Sequence, residues 1–85
     1  MAEGENYALM EKLQRTAKFP DAREVITIDG LRVEYAAGFG LARPSNTTPV
    51  IVLRFEADNE VALEQIKADF RRAIHDAAPG LGLPF

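Results

Sequence analysis

Two hydrophobic periods, and the order in which they alternate, limit what this chain can fold into. Near its start Leu9, Met10, Leu13 and Ala17 recur at steps of three and four, with Glu11, Lys12, Gln14 and Arg15 between them. That spacing predicts an amphipathic helix over residues 6–18, with Asn6 as its cap and Phe19-Pro20-Asp21 as its stop. The period then drops to two. Over residues 24–29, Ile26 and Ile28 alternate with Val25 and Thr27, and Asp29-Gly30 reads as a two-residue hairpin turn. Beyond it Leu31, Val33 and Tyr35 alternate with Arg32 and Glu34. Gly38-Phe39-Gly40-Leu41-Ala42 predicts a third strand, with glycines suited to a turn, a bulge or a close backbone approach. Residues 50–57 set Ile51, Leu53 and Phe55 against Val50, Val52 and Arg54. Being apolar on both faces, they predict a strand in the sheet interior. The period returns to 3.6 at Leu63, Ile66, Phe70 and Ile74, a second helix capped by Asp58 or Asn59 and ending near Asp76.

The predicted order is α-β-β-β-β-α. An α+β fold follows, a four-stranded antiparallel sheet with two helices packed on one face. Eighty-five residues support one modest core, so residues 1–85 are read as a single domain. Residues 1–5 and 79–85, the latter rich in Gly and Pro, are expected to be loosely ordered. No cysteine is present, which removes disulfides, thiolate nucleophiles and thiolate metal sites. No run of about 18 apolar residues exists, so no membrane span is expected. Glu3 and Glu5 are the wrong charge for a signal peptide. A soluble, cytoplasmic protein is the expectation. A net charge of −3 argues against a nucleic-acid partner.

Between the third and fourth predicted strands stands Arg43-Pro44-Ser45-Asn46-Thr47-Thr48-Pro49. One permanent cation is followed by four short hydrogen-bonding side chains, with proline near each end. A phosphate needs several donors converging on it. Arg43 offers a planar fork, Ser45 and Thr47 offer hydroxyls, and Asn46 offers an amide NH₂. Short side chains also leave backbone N–H groups close enough to join them. A polar surface turn uses the same residue types. What a turn does not require is a lone arginine at the end of an apolar strand. The glycines and lysine of a P-loop are missing. His75 fits the solvated end of the second helix. Glu56 and Asp58 fit a strand end and a helix cap. No nucleophile has a base beside it, and no set of residues has metal-ligand spacing. The chain alone is therefore expected to catalyse nothing and to bind no metal.

The loop resembles the phosphate-binding loop in the C-terminal domain of α-D-phosphohexomutases. The resemblance extends to Ile28-Asp29-Gly30-Leu31-Arg32-Val33-Glu34-Tyr35, to Gly38-Phe39-Gly40-Leu41, to Val52-Leu53-Arg54-Phe55-Glu56-Ala57-Asp58 and to Leu83-Pro84-Phe85. It is similar to the bacterial phosphomannomutase/phosphoglucomutase branch, and the Asn46-Thr47-Thr48-Pro49 form resembles its dual mannose/glucose enzymes. The resemblance implies a TATA-box-binding-protein-like fold and a domain mobile enough to close on substrate. It implies Arg43, Ser45, Asn46 and Thr47 as ligands of the substrate's non-reacting phosphate. It further implies an isomerase that interconverts hexose 1- and 6-phosphates through a bisphosphorylated intermediate. That enzyme has four domains, and its phosphoserine, Mg²⁺ site and sugar loop belong to the first three, so this chain, which has none of those motifs, resembles an excised C-terminal domain. The implied partners are a phosphosugar and the other domains of the same enzyme, which is expected to be a monomer. The residues also leave open a small phosphate-handling enzyme of acylphosphatase type, or a binding module.

Overall fold

A computed structural model describes residues 4–28 and 30–81. The chain runs α1 (Glu5–Thr16), β1 (Glu24–Ile26), β2 (Leu31–Tyr35), β3 (Gly38–Pro44), β4 (Ile51–Ala57) and α2 (Glu60–Ala77). The four strands form one antiparallel sheet in chain order. Both helices lie on one face, α1 against β2 and β3, α2 against β3 and β4, and each against the other. This is the α+β arrangement that the two periods predict.

The register shows why the alternation works. Val33 pairs with Gly40, and Gly40 with Phe55; Leu31 pairs with Ala42, and Ala42 with Leu53. Cross-strand partners share a face, so these residues form the inner layer. Leu9, Met10 and Leu13 of α1 and Ile66, Phe70, Ala73 and Ile74 of α2 close over it. Phe70 is the centre of this core. Its ring lies 5.2 Å from those of Phe19 and Phe55, edge-on to Phe55. Gly40 is what lets it sit so low, since a Cβ there would fall 2.3 Å from the Phe70 ring.

Several expectations need correction. Asn6 does not cap α1. The cap position is Gly4, at φ 87° with no side-chain bond, and Asn6 lies inside the helix, buried. At α2, the cap is Asn59, whose Oδ1 accepts from the Ala62 N–H at 2.8 Å. β4 does not lie in the sheet interior. The strands follow one another as a simple meander, so the last has β3 as its sole neighbour among the described residues. Val52 on its outer side, and Val50 just before it, stay exposed.

The first hairpin is also not a two-residue turn. Val25 pairs with Val33 and Ile26 with Arg32, whereas a turn at residues 29–30 would pair Ile28 with Leu31. β1 therefore stops early, and Ile28 is 85% exposed. Contacts outside the hairpin account for this. Gln14 Nε2 of α1 donates to the carbonyls of Thr27 and Gly30, at 3.2 and 2.7 Å. Gly30, at φ +126°, packs so tightly on β3 that a Cβ would lie 2.5 Å from the Ala42 carbonyl oxygen. Asp29 is outside the described residues. The loose ends expected at residues 1–5 and 79–85 also fall largely outside them.

Candidate functional site

The site is built at the β3–β4 corner. Arg43 and Pro44 end β3 in register with Val52 and Ile51. Residues 45–49 then turn back, closed by two backbone bonds. The Ser45 N–H donates to the Val50 carbonyl at 2.9 Å, and the Val50 N–H to that of Thr48 at 2.8 Å. Within this turn the Ser45 hydroxyl is a focus. The N–H groups of Thr47 and Thr48 point at its Oγ from 3.3 and 3.4 Å, and the Thr47 and Thr48 hydroxyls lie at the same distances. Ser45 thus accepts within its own loop, in the manner of a serine turn. Sequence reasoning assigns it the donor role alone.

Arg43, Ser45, Asn46 and Thr47, the residues singled out from the sequence, line one open cleft with Tyr7 and Gln14 of α1. Arg43 is exposed and makes no ion pair among the described residues. Its neighbours on the outer sheet face are committed: Arg32 to Glu34 at 3.1 Å and Arg54 to Glu56 at 3.2 Å. A guanidinium at a strand end, beside a turn of hydroxyls and amides, can take an anion's oxygens with little rearrangement.

Two residues that hold the loop escape sequence reasoning. Asn6, 1% exposed, directs Nδ2 at the carbonyls of Val50, Ser45 and Thr48, at 3.0, 3.2 and 3.4 Å. Its Oδ1 is buried with no donor. Tyr7 donates from its hydroxyl to Asn46 Oδ1 at 3.0 Å and lies 3.3 Å from the Ser45 carbonyl. With loop carbonyls gripped by α1 and the N–H groups of Ser45, Thr47, Thr48 and Val50 engaged within the turn, the Asn46 N–H is left open among the described residues. A signal for Asn6 existed. It stands three and four residues before Leu9 and Met10, in the apolar stripe, where a polar side chain needs a partner.

Among the described residues no three His, Cys, Asp or Glu side chains come together in a way that could hold a metal ion. No helix is long and apolar enough to cross a membrane.

Residues 1–73 match the family model described as the phosphoglucomutase/phosphomannomutase C-terminal domain. The chain belongs to this family. A phosphoglucomutase of Neisseria meningitidis serogroup A is 49% identical over 85 residues, which is 99% of this chain and 18% of that protein. A phosphomannomutase/phosphoglucomutase of Pseudomonas aeruginosa is 47% identical over the whole chain and again 18% of its own length. The crystal structure of a phosphoglucomutase/phosphomannomutase family protein from Burkholderia thailandensis superposes on 94% of this chain with a TM-score of 0.90 and 64% identity, using 18% of that chain. This C-terminal phosphohexomutase domain therefore spans under one fifth of the length of these relatives, the piece expected of one domain among several.

Proposed function

We propose that this domain holds the phosphate group of a hexose phosphate within a longer phosphoglucomutase/phosphomannomutase. Arg43, Ser45, Asn46 and Thr47 are the phosphate ligands. The observation that carries this reading is Arg43: exposed, without an ion pair among the described residues, and in one cleft with three short donors on a braced turn. The guanidinium takes two non-ester oxygens side by side. The Asn46 side-chain amide, the Asn46 N–H and the Thr47 hydroxyl take others, and the Ser45 hydroxyl gives up its internal acceptor role to donate.

The chemistry of the ligand set fits an enzyme that interconverts hexose 1- and 6-phosphates. Donors that contact only non-ester oxygens treat the two phosphates alike. A bisphosphorylated intermediate could therefore turn around and present either end to the same loop. The domain's contribution is to fix the non-reacting phosphate and close over the cleft, so that the other end meets the reacting groups in one geometry. It adds fixed positive charge beside a dianion. The Mg²⁺ of such an enzyme finds no ligand cluster among the described residues.

The test is titration of the ¹⁵N-labelled chain with glucose 6-phosphate. Amide shifts are expected to cluster at residues 43–48. Arg43→Ala should weaken binding by about tenfold or more, since hydrogen bonds to charged groups contribute about 1.5–3 kcal/mol, and should leave the fold intact because the side chain is exposed. Shifts spread over other elements, or none at millimolar ligand, would sink the reading.

A further inference from the structure

We infer that Tyr7 is a positioning residue, which acts on phosphate through Asn46. The inference rests on the phosphate-binding reading of the loop. An anion offers acceptors only, so Asn46 is useful to it only with the NH₂ of its side chain turned towards it. The amide is nearly symmetric in shape, and half a turn about its last bond presents the oxygen instead. On an exposed loop nothing in Asn46 itself chooses between these. Tyr7 makes the choice, because its hydroxyl donates to Oδ1 at 3.0 Å. The other acceptor within its reach, the Ser45 carbonyl, is farther away at 3.3 Å. With Oδ1 held against the phenol, Nδ2 is the group left for an acceptor in the cleft. It makes no hydrogen bond among the described residues.

The arrangement is precise because Asn6 adjoins Tyr7. Its bonds to the carbonyls of Ser45, Thr48 and Val50 fix the loop backbone relative to the first turn of α1. The phenol thus stands at a set height over Asn46. Two consecutive residues divide the work. Asn6 faces inward and holds the main chain, and Tyr7 sits at the rim and orients one side chain. The phenol need not touch the ligand.

The experiment is a double-mutant cycle read by titrating this chain with glucose 6-phosphate. Tyr7→Phe keeps the ring and removes the hydroxyl. It should weaken binding about three- to tenfold, the range of one neutral hydrogen bond. Asn46→Ala should weaken binding at least as much. Adding Tyr7→Phe to Asn46→Ala should cost nothing further. The Asn46 side-chain NH₂ resonances, which should shift on binding in the parent chain, should shift less in Tyr7→Phe. A purely structural Tyr7 would lower affinity equally in both backgrounds, and that result overturns the inference. So does parent-like binding by Tyr7→Phe. If Arg43→Ala and Asn46→Ala both weaken binding while Tyr7→Phe does not, only the role of Tyr7 falls. If the parent chain does not bind at residues 43–48, the loop assignment falls with it.

Discussion

Asn6 is a polar side chain buried in the apolar stripe of α1, and its geometry explains why it is kept there. An amide is the one short uncharged group that can offer hydrogens to several carbonyls at once, and Nδ2 faces three. The carbonyls of Val50 and Thr48 also accept from the N–H groups of Ser45 and Val50, so what Nδ2 adds is the tie between the turn and α1. Asn6→Leu fits the helix and the stripe but removes those donors. It should destabilise the domain by about 1–3 kcal/mol, the net contribution of the two hydrogen bonds an NH₂ can make, and its largest amide shifts should fall in the β3–β4 turn. Asn6→Asp should be worse, because a carboxylate would face the same carbonyls. Urea denaturation checks both, and unchanged midpoints would mean that the loop does not depend on Asn6.

Between elements, β2 and α2 are joined by Tyr35, whose hydroxyl donates to Asp69 Oδ2 at 2.8 Å. Asp69 is paired with Arg72 at 3.3 Å, and Arg72 also donates to the Lys18 carbonyl after α1. One short network thus links the sheet to both helical segments, at the end of β2 away from its Leu31 pairing with Ala42. Burial raises the Tyr35 phenol well above its ordinary value of 10.0, and the hydrogen bond to Asp69 and the charge of its carboxylate push in the same direction. The sign follows from linkage. Folding favours the protonated phenol, so its contribution is complete below the unfolded value and is lost as pH climbs from there towards the raised folded value. The Tyr35 contribution to stability should therefore be constant with pH below about pH 10 and decline above it. Tyr35→Phe should cost about 1 kcal/mol at neutral pH and make the alkaline decline shallower. An identical alkaline profile in both proteins would rule out this role for Tyr35.

Across the whole molecule, stability depends on one core with Phe70 at its centre, touching Phe19, Phe55 and the backbone at Gly40. The opposite sheet face contributes charge order instead of burial. Arg32 and Arg54 pair with Glu34 and Glu56, and the Arg32 guanidinium lies 4.2 Å over the Phe39 ring. A domain of this size is stable by about 5–10 kcal/mol, and emptying a buried phenylalanine site costs about 3–5 kcal/mol. Phe70→Ala should therefore bring the chain close to unfolding at room temperature. Phe70→Leu, which refills part of the volume, should fold with a lowered thermal midpoint. A Phe70→Ala protein as stable as the parent would show that the core is organised around some other residue.

The element order, the apolar faces of β2 and β4 and the candidate loop are all legible in the chain, because each is a local pattern. Alternation at Leu31, Val33 and Tyr35 sets a face whatever the strand pairs with. The stripe at Ile66, Phe70 and Ile74 sets another, and Arg43 with its short polar neighbours is contiguous. Features that depend on partners far along the chain are not legible in this way and emerge on folding. β4 reads as interior by its apolar content, yet its position depends on how many strands flank it. Asp29-Gly30 reads as a two-residue turn, yet Gln14 and the close approach of Gly30 to β3 impose a different register. Asn6 reads as a cap, yet its partners lie about forty residues away. A cap and a buried tether use the same amide. Which of them Asn6 becomes depends on what the fold brings to it.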